Sequence, residues 1–180
     1  MADLEWELLE AAPVYSGFLN VERRRYRMPD GGVSDWDILR AERTVATLAL
    51  TEAGTVLLVR QFRPGPGRVL LDLPGGNVAN GEDVLVACER ELLEETGYRA
   101  RSLTLAGRFW LAGRATIEAY AVVATGCRFE RPSTPDTEEF IELVEVSFDV
   151  FLRHLRTGEL TDLGAAYLCL DHLGGMAPDR

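Results

Sequence analysis

Three glutamates, Glu91, Glu94 and Glu95, are the residues of this 180-residue sequence whose type and spacing most clearly promise chemistry. In a helix they fall at i, i+3 and i+4, so their carboxylates share one patch on adjoining turns. Leu85, Cys88 and Leu92, at i, i+3 and i+7, form the apolar stripe of the same helix. Glu95 lies three residues beyond Leu92 and therefore projects from the margin of that stripe. A carboxylate there is partly desolvated, which is costly unless a cation or hydrogen-bond donors meet it. Like charges at these spacings repel by ~0.2–0.5 kcal/mol per pair, and the helix macrodipole disfavours acids in the C-terminal turns. Such conflicts between local rules collect at functional sites. Carboxylate oxygens with no histidine or thiolate beside them suit a hard divalent cation, Mg2+ or Mn2+. Gly75 and Gly76 let the main chain approach the helix end, where a backbone carbonyl can join the ligands. The alternative is a solvated acidic face with Arg90 and Glu94 as an i,i+4 ion pair.

The elements that must position these groups are legible around them. The helix is expected from about Asp83 to Thr96, with Gly97 where a left-handed cap belongs. Upstream, Phe18–Met28 and Val33–Leu39 read as strands joined by Pro29-Asp30-Gly31-Gly32, in which proline presets φ and glycine accepts φ > 0. Thr44–Leu50 and Thr55–Arg60 form a second hairpin across Glu52-Ala53-Gly54. Arg63–Gly67 is a loop, and Val69–Leu73 a short strand expected to be buried. Leu103–Leu111, Thr116–Ala124 and Phe140–Val146 are further strands, and Arg128–Glu139 reads as a loop. Ser147 starts a helix to Leu155, Gly158 breaks the chain, and Thr161–Leu173 is a last helix. Helices interspersed among strands indicate an α/β domain on a mixed sheet.

Composition sets the outer limits. The chain carries 29 acidic against 19 basic residues, a net charge of −10, which argues against nucleic acid or an anionic membrane as the main partner. All 19 basic residues are arginine, which excludes lysine chemistry such as a Schiff base. The 3 cysteines, Cys88, Cys127 and Cys169, form no CxxC pair, so neither a thiolate zinc site nor a disulfide framework is expected. With 2 histidines, His154 and His172, a multi-histidine metal site is excluded. The sequence opens Met1-Ala2-Asp3-Leu4-Glu5-Trp6, without the blocks of a secretory leader. No apolar run approaches the ~20 residues that span a bilayer. A soluble cytoplasmic protein using carboxylate chemistry is expected.

The order Gly76, Glu82, Arg90-Glu91-Leu92, Glu94-Glu95, Gly97-Tyr98 resembles a complete Nudix box, with Tyr98 where an aliphatic residue is commoner. Around it, Val14-Tyr15, Pro29-Asp30-Gly31, Leu57–Arg63, Leu71–Gly76 and Glu139–Glu142 are similar to the ADP-ribose pyrophosphatase branch of that family. The resemblance implies an α/β/α sandwich with a mixed β-sheet (residues 44–180) behind an N-terminal β-strand arm (residues 1–43) that pairs two subunits and covers the substrate. It implies Mg2+, or Mn2+, held by Glu91, Glu94, Glu95 and the Gly75 carbonyl, with Glu82 and Arg90 bracing the loop. Glu139 would help activate water, a role that Glu138 or a box glutamate could take instead. Arg63 would contact substrate phosphate; Trp36 would stack on the base or pack in the arm; Arg40 would be a second phosphate contact or a surface charge. The implied reaction is hydrolysis of a nucleotide-sugar diphosphate, best matched by ADP-ribose going to AMP and ribose 5-phosphate. GDP-mannose or a UDP-sugar, and a catalytically silent nucleotide sensor, are the alternatives. Departures from the branch pattern bear on substrate identity: Ala112-Gly113 for Pro-Gly, Asp72 for glutamate and Gly75 for alanine.

Overall fold

The computed structural model describes residues 4–135 and 139–174. It contains two compact units: the segment up to Glu42 with Trp110–Glu118, and Arg43–Phe109 with the segment from Ala119 onward.

The first unit holds a three-stranded antiparallel sheet in the order β1 (Glu7–Ser16), β2 (Asn20–Arg27) and β3 (Val33–Arg40). The β2–β3 turn forms as its residues dictate: Asp30 accepts the Gly32 amide at 2.8 Å and Gly31 takes φ 84°. Arginines on one face of β2 meet acids on its neighbours, as in Arg23–Asp37, Arg25–Asp35 and Arg27–Glu7. β1 carries no clean alternation and is exposed along its whole length. Its pairing with β2, rather than any pattern of its own, makes it a strand.

The second unit is built on β4 (Arg43–Thr51), β5 (Val56–Arg63), β6 (Arg68–Asp72), β7 (Gly75–Val78), α1 (Val84–Thr96), β8 (Tyr98–Arg99), β9 (Ser102–Trp110), β10 (Glu118–Phe129), β11 (Glu142–Val146), α2 (Phe148–Leu155) and α3 (Leu163–His172). The sheet runs β11-β5-β4-β10-β8, with β6 on β5, β7 on β4 and β9 on β10. β4 and β10 are parallel while the neighbouring pairs are antiparallel, so the sheet is mixed, as expected. Period-two alternation divides its side chains between two layers. Leu48, Leu58, Ala121 and Val123 pack with Phe151, Leu155 and Ala166 of α2 and α3. Val45 and Val122 pack with Ala87 and Cys88 of α1, and Ala49 and Leu57 with Leu92. This is the α/β/α sandwich.

Several elements differ from their sequence patterns. β7, Gly-Gly-Asn-Val, has little strand propensity and forms through its pairing with β4 from Arg43↔Val78 to Ala46↔Gly75. The strand expected from Phe140 starts at Glu142, and Phe140 is 87% exposed. Val69 is half exposed, a correction to the buried strand expected there, because it pairs with exposed Phe62 where the β5–β6 hairpin emerges. β10 runs on to Phe129 through an irregularity between Ala124 and Cys127. Among the described residues, no helix is long and apolar enough to cross a membrane.

The three cysteines are free and buried. Burial pushes the Cys88 and Cys127 thiols up to about 11 and that of Cys169 to about 12. Native protein at pH 8 should therefore resist Ellman's reagent, whereas guanidinium-unfolded protein should titrate all three thiols. Rapid modification of the folded protein would contradict this packing.

Candidate active site

α1 begins where Asp83 accepts the amides of Leu85 and Val86 at 2.9 and 3.3 Å, and ends at Gly97, φ 76°, whose amide reaches the Leu93 carbonyl. Ala87, Cys88 and Leu92 fix its rotation by facing the sheet. That rotation places Glu95 inside, only 3% exposed, with Oε2 accepting the Gly75 amide at 2.8 Å. Glu91 sits over Gly76, where a Cβ would lie 2.5 Å from its Oε1, and a Cβ on Gly75 would lie 2.1 Å from the Val45 carbonyl. Gly75 is thus required by close approach to fixed backbone, whereas a side chain at Gly76 would displace the Glu91 carboxylate.

Burial is the main cause that pushes the Glu95 carboxyl up, to about 8; the charges of Glu91 and Glu139 add to it, while the Gly75 amide and Arg63 oppose it. Burial also raises Glu91, against the nearby Arg90 guanidinium and with the charges of Glu94 and Glu139. Glu139 is exposed but close enough for its charge to reach both box glutamates. Its alternative, Glu138, lies outside the described residues.

The loop leading to Glu139 is tied to the end of α1. The Thr134 amide donates to the Glu94 carbonyl at 2.7 Å, and the amides of Glu130 and Arg131 donate to the Gly97 carbonyl at 2.9 and 3.3 Å. A Cβ at Gly97 would stand 2.0 Å from the Arg131 carbonyl. Gly97 therefore serves twice, as the left-handed cap and as the gap into which this loop docks. The sequence marks only the first role.

Arg90 ties the site to the preceding loop. It donates to Glu82 at 3.2 Å and to the Asn77 carbonyl at 3.1 Å, and its Nη1 reaches Glu91 at 2.8 Å and Glu94 at 3.2 Å. The i,i+4 pair is thus present beside the carboxylate cluster. Glu82 accepts the Ala79 amide, and Arg43 holds the carbonyls of Ala79 and Glu82. Among the described residues no three acidic, imidazole or thiolate groups are already drawn into a closed coordination shell. Arg90 spans Glu91 and Glu94 instead. The donor chemistry nevertheless fits a hard cation: all-oxygen ligands, one deeply buried, with more negative than positive charge around it.

At the end of β5, Arg63 donates through Nε to Asp72 Oδ2 at 2.6 Å, and its terminal amines have no partner among the described residues. Asp72 is fully buried and its Oδ1 accepts the Thr161 amide at 2.7 Å. Asp162 lies close to this pair. Burial first, then the charge of Asp72, raises its carboxyl to about 6, against the Arg63 guanidinium and the Thr161 hydroxyl. Asp162 has no sequence signal beyond that of a helix cap. An aspartate inside the apolar run Val69–Leu73 is itself a sequence signal that singles out Asp72.

Trp36 and Arg40 belong to the first unit. The Trp36 ring meets Trp6 edge-on at 5.4 Å and carries the Arg114 guanidinium at 4.5 Å. Arg40 pairs with Glu22 at 2.8 Å. Both expected substrate contacts therefore already have partners within the first unit.

A mixed sheet between α1 and the α2–α3 pair, with a glutamate cluster against a Gly-Gly strand, defines a class of fold and site. The NUDIX domain family model matches residues 40–162, and the chain belongs to the Nudix family. It is 30% identical over 170 residues to the ADP-ribose pyrophosphatase of Bacillus subtilis (strain 168), covering 93% of this chain and 92% of that protein. It is 28% identical over 166 residues to the methanol dehydrogenase activator of Bacillus methanolicus, covering 88% and 87%. A crystal structure of an ADP compounds hydrolase superposes with a TM-score of 0.81 at 20% identity, over 97% of this chain and 98% of that one.

Two outcomes follow from this geometry. Gly97→Ala, forced into positive φ against a carbonyl, should lower stability by about 1–3 kcal/mol in urea unfolding and speed amide exchange at Glu130, Arg131 and Thr134. Unchanged exchange there would mean that the loop is not anchored on Gly97. Asp162, with its folded value above the unfolded one, contributes most below about pH 4 and loses that contribution as pH rises through about 6. Asp162→Asn should accordingly be more stable than the parent at pH 7, by up to about 3 kcal/mol, and the gain should shrink toward pH 4.

Proposed function

We propose that this enzyme hydrolyses the pyrophosphate bond of a nucleotide sugar with Mg2+, and that ADP-ribose, cleaved to AMP and ribose 5-phosphate, is its substrate. The observation that carries this reading is the buried, under-compensated carboxylate of Glu95 beside Glu91 and Glu94, on a fold shared with Nudix hydrolases. The near full-length likeness to an ADP-ribose pyrophosphatase supports the substrate class.

Glu91, Glu94, Glu95 and the Gly75 carbonyl would hold the divalent cation. When bound, such an ion neutralises the diphosphate and lowers the pKa of water. The chain's own residues do the rest. The Gly75 amide and the walls of β7 and α1 keep the Glu95 carboxylate in one orientation, so its position is set before substrate arrives. Arg63, fixed through Nε, offers its terminal amines to the phosphates. Glu139, solvent-exposed and within electrostatic reach of Glu91 and Glu95, accepts the proton of the attacking water, with Glu94 and Glu95 as the other candidate bases. Trp36 and Arg40 are substrate contacts only if they share or release their present partners. The arm pairs two subunits in this reading, a role supported by the exposed Leu8, Val14 and Tyr15 of β1. The free, buried cysteines support a reducing cytoplasm.

Purified protein incubated with Mg2+ and ADP-ribose, GDP-mannose or UDP-sugars should release AMP fastest from ADP-ribose. Glu95→Gln and Glu94→Gln should each lower kcat by about 100-fold or more while the fold is retained. Binding of ADP-ribose without turnover of any substrate would favour a sensor instead. Light scattering should give twice the chain mass of 19.9 kDa.

A further inference from the structure

Arg43 is a residue that the proposed reaction does not use and that no local pattern in the sequence marks. Paired with Val78 in the β4–β7 ladder, it lies where β7 ends and the turn Ala79–Glu82 begins. Its Nη2 donates to the Ala79 carbonyl at 3.2 Å and to the Glu82 carbonyl at 2.9 Å, the two ends of that turn. The turn also closes on itself. The Glu82 amide donates to the Ala79 carbonyl at 3.0 Å, the Ala79 amide donates to Glu82 Oε2 at 2.9 Å, and Gly81 takes φ 82°. Ala79, Asn80 and Gly81 are exposed, so packing does little to hold them and the arginine ties them to β4.

What the turn presents is the Glu82 carboxylate. Its Oε1 accepts from Arg90 Nε at 3.2 Å and its Oε2 from Arg90 Nη2 at 3.3 Å, which commits one edge of the guanidinium. Nη2 also donates to the Asn77 carbonyl at 3.1 Å. Only Nη1 reaches the cluster, where it takes Oε1 of Glu91 at 2.8 Å and Oε2 of Glu94 at 3.2 Å. Among the described residues, Glu91 Oε2 and Glu94 Oε1 have no hydrogen-bond partner. An arginine released from Glu82 gains further donors for these carboxylates, since guanidinium pairs bidentately with carboxylate, and it competes with a cation for the open oxygens. We propose that Arg43, acting through the Ala79–Glu82 turn, is a positioning residue that holds Glu82 on the edge of Arg90, so that Arg90 takes one oxygen from each of Glu91 and Glu94 and leaves the other to a divalent cation. The proposal rests on the reading of Glu91 and Glu94 as metal ligands.

The test measures Mn2+ affinity of the substrate-free protein by calorimetry for Arg43→Ala, Arg43→Lys, Arg90→Ala and the double variant Arg43→Ala/Arg90→Ala. Amide exchange at Ala79 and Glu82 is followed in EDTA. Arg43→Ala should speed both exchanges and weaken Mn2+ binding by about tenfold. It should raise the Mg2+ concentration for half-maximal ADP-ribose turnover by about the same factor, with kcat at saturating Mg2+ within about twofold of the parent. Arg43→Lys, whose ammonium can still donate to both carbonyls, should recover part of the affinity. In the Arg90→Ala background, where no guanidinium competes, the Arg43 change should add nothing. If Arg43→Ala speeds exchange but leaves Mn2+ affinity unchanged, the residue only braces the turn; the positioning role is then wrong and the metal-ligand reading stands. An equal loss in the Arg90→Ala background would also overturn it, since Arg43 would then act by another route. If Glu91→Gln and Glu94→Gln bind Mn2+ as tightly as the parent, the metal-ligand reading itself fails and the positioning role falls with it.

Discussion

The site depends on one constraint: a carboxylate, Glu95, is held in the interior at the end of a helix with, among the described residues, a single main-chain amide as its hydrogen-bonded partner. Burial of that kind is unfavourable for the charged form, and the surrounding charges of Glu91 and Glu139 make it more so. The structure tolerates it because the rest of α1 is well anchored. Ala87, Cys88 and Leu92 are fully buried against β4, β5 and β10, and rotating the helix to expose Glu95 would pull these side chains out of the core. The unfavourable carboxylate and the favourable stripe are parts of one rigid element. The same logic explains β7. A strand with no side chains at Gly75 and Gly76 is a poor strand by propensity, but a side chain at Gly75 would collide with the Val45 carbonyl and one at Gly76 would push the Glu91 carboxylate aside.

Much of this was legible because it is local. The period of Cys88 and Leu92 sets the helix face, Asp83 and Gly97 set its ends, and the i, i+3, i+4 glutamates follow from 3.6 residues per turn. Glu95 at the margin of the apolar stripe was expected to be partly desolvated, and it is almost wholly so. The paired runs around Gly31 and Gly54 were readable from turn chemistry, since both take positive φ.

What the sequence did not disclose is long-range. β7 exists because β4 is beside it, and β1 because β2 is. Trp110–Glu118 lies between two strands of the second unit's sheet in the chain but clusters with the first unit. Asp162 stands 90 residues from Asp72 in the chain, so nothing in the local pattern around α3 distinguishes it from an ordinary cap. The second role of Gly97, making room for the Arg131 carbonyl, likewise needs the partner segment in place before it can be seen. Single residues with two jobs show only the local one in the sequence.

Charge shows the same difference between local and global reading. A net charge of −10 discourages a polyanion from lying along the surface, and on the arm opposite charges neutralise each other in pairs such as Arg23–Asp37 and Arg25–Asp35. Exposed pairs of this kind contribute little to stability. The charge that matters is confined to the end of α1, where three glutamates from a single helix stand beside a Gly-Gly strand. In the proposed reading, a divalent cation held there would invert the local sign and admit a diphosphate that the global balance discourages. Arg63 is the second positive centre in that reading. Its Nε is bound to the fully buried Asp72, so the guanidinium has a fixed anchor at one end.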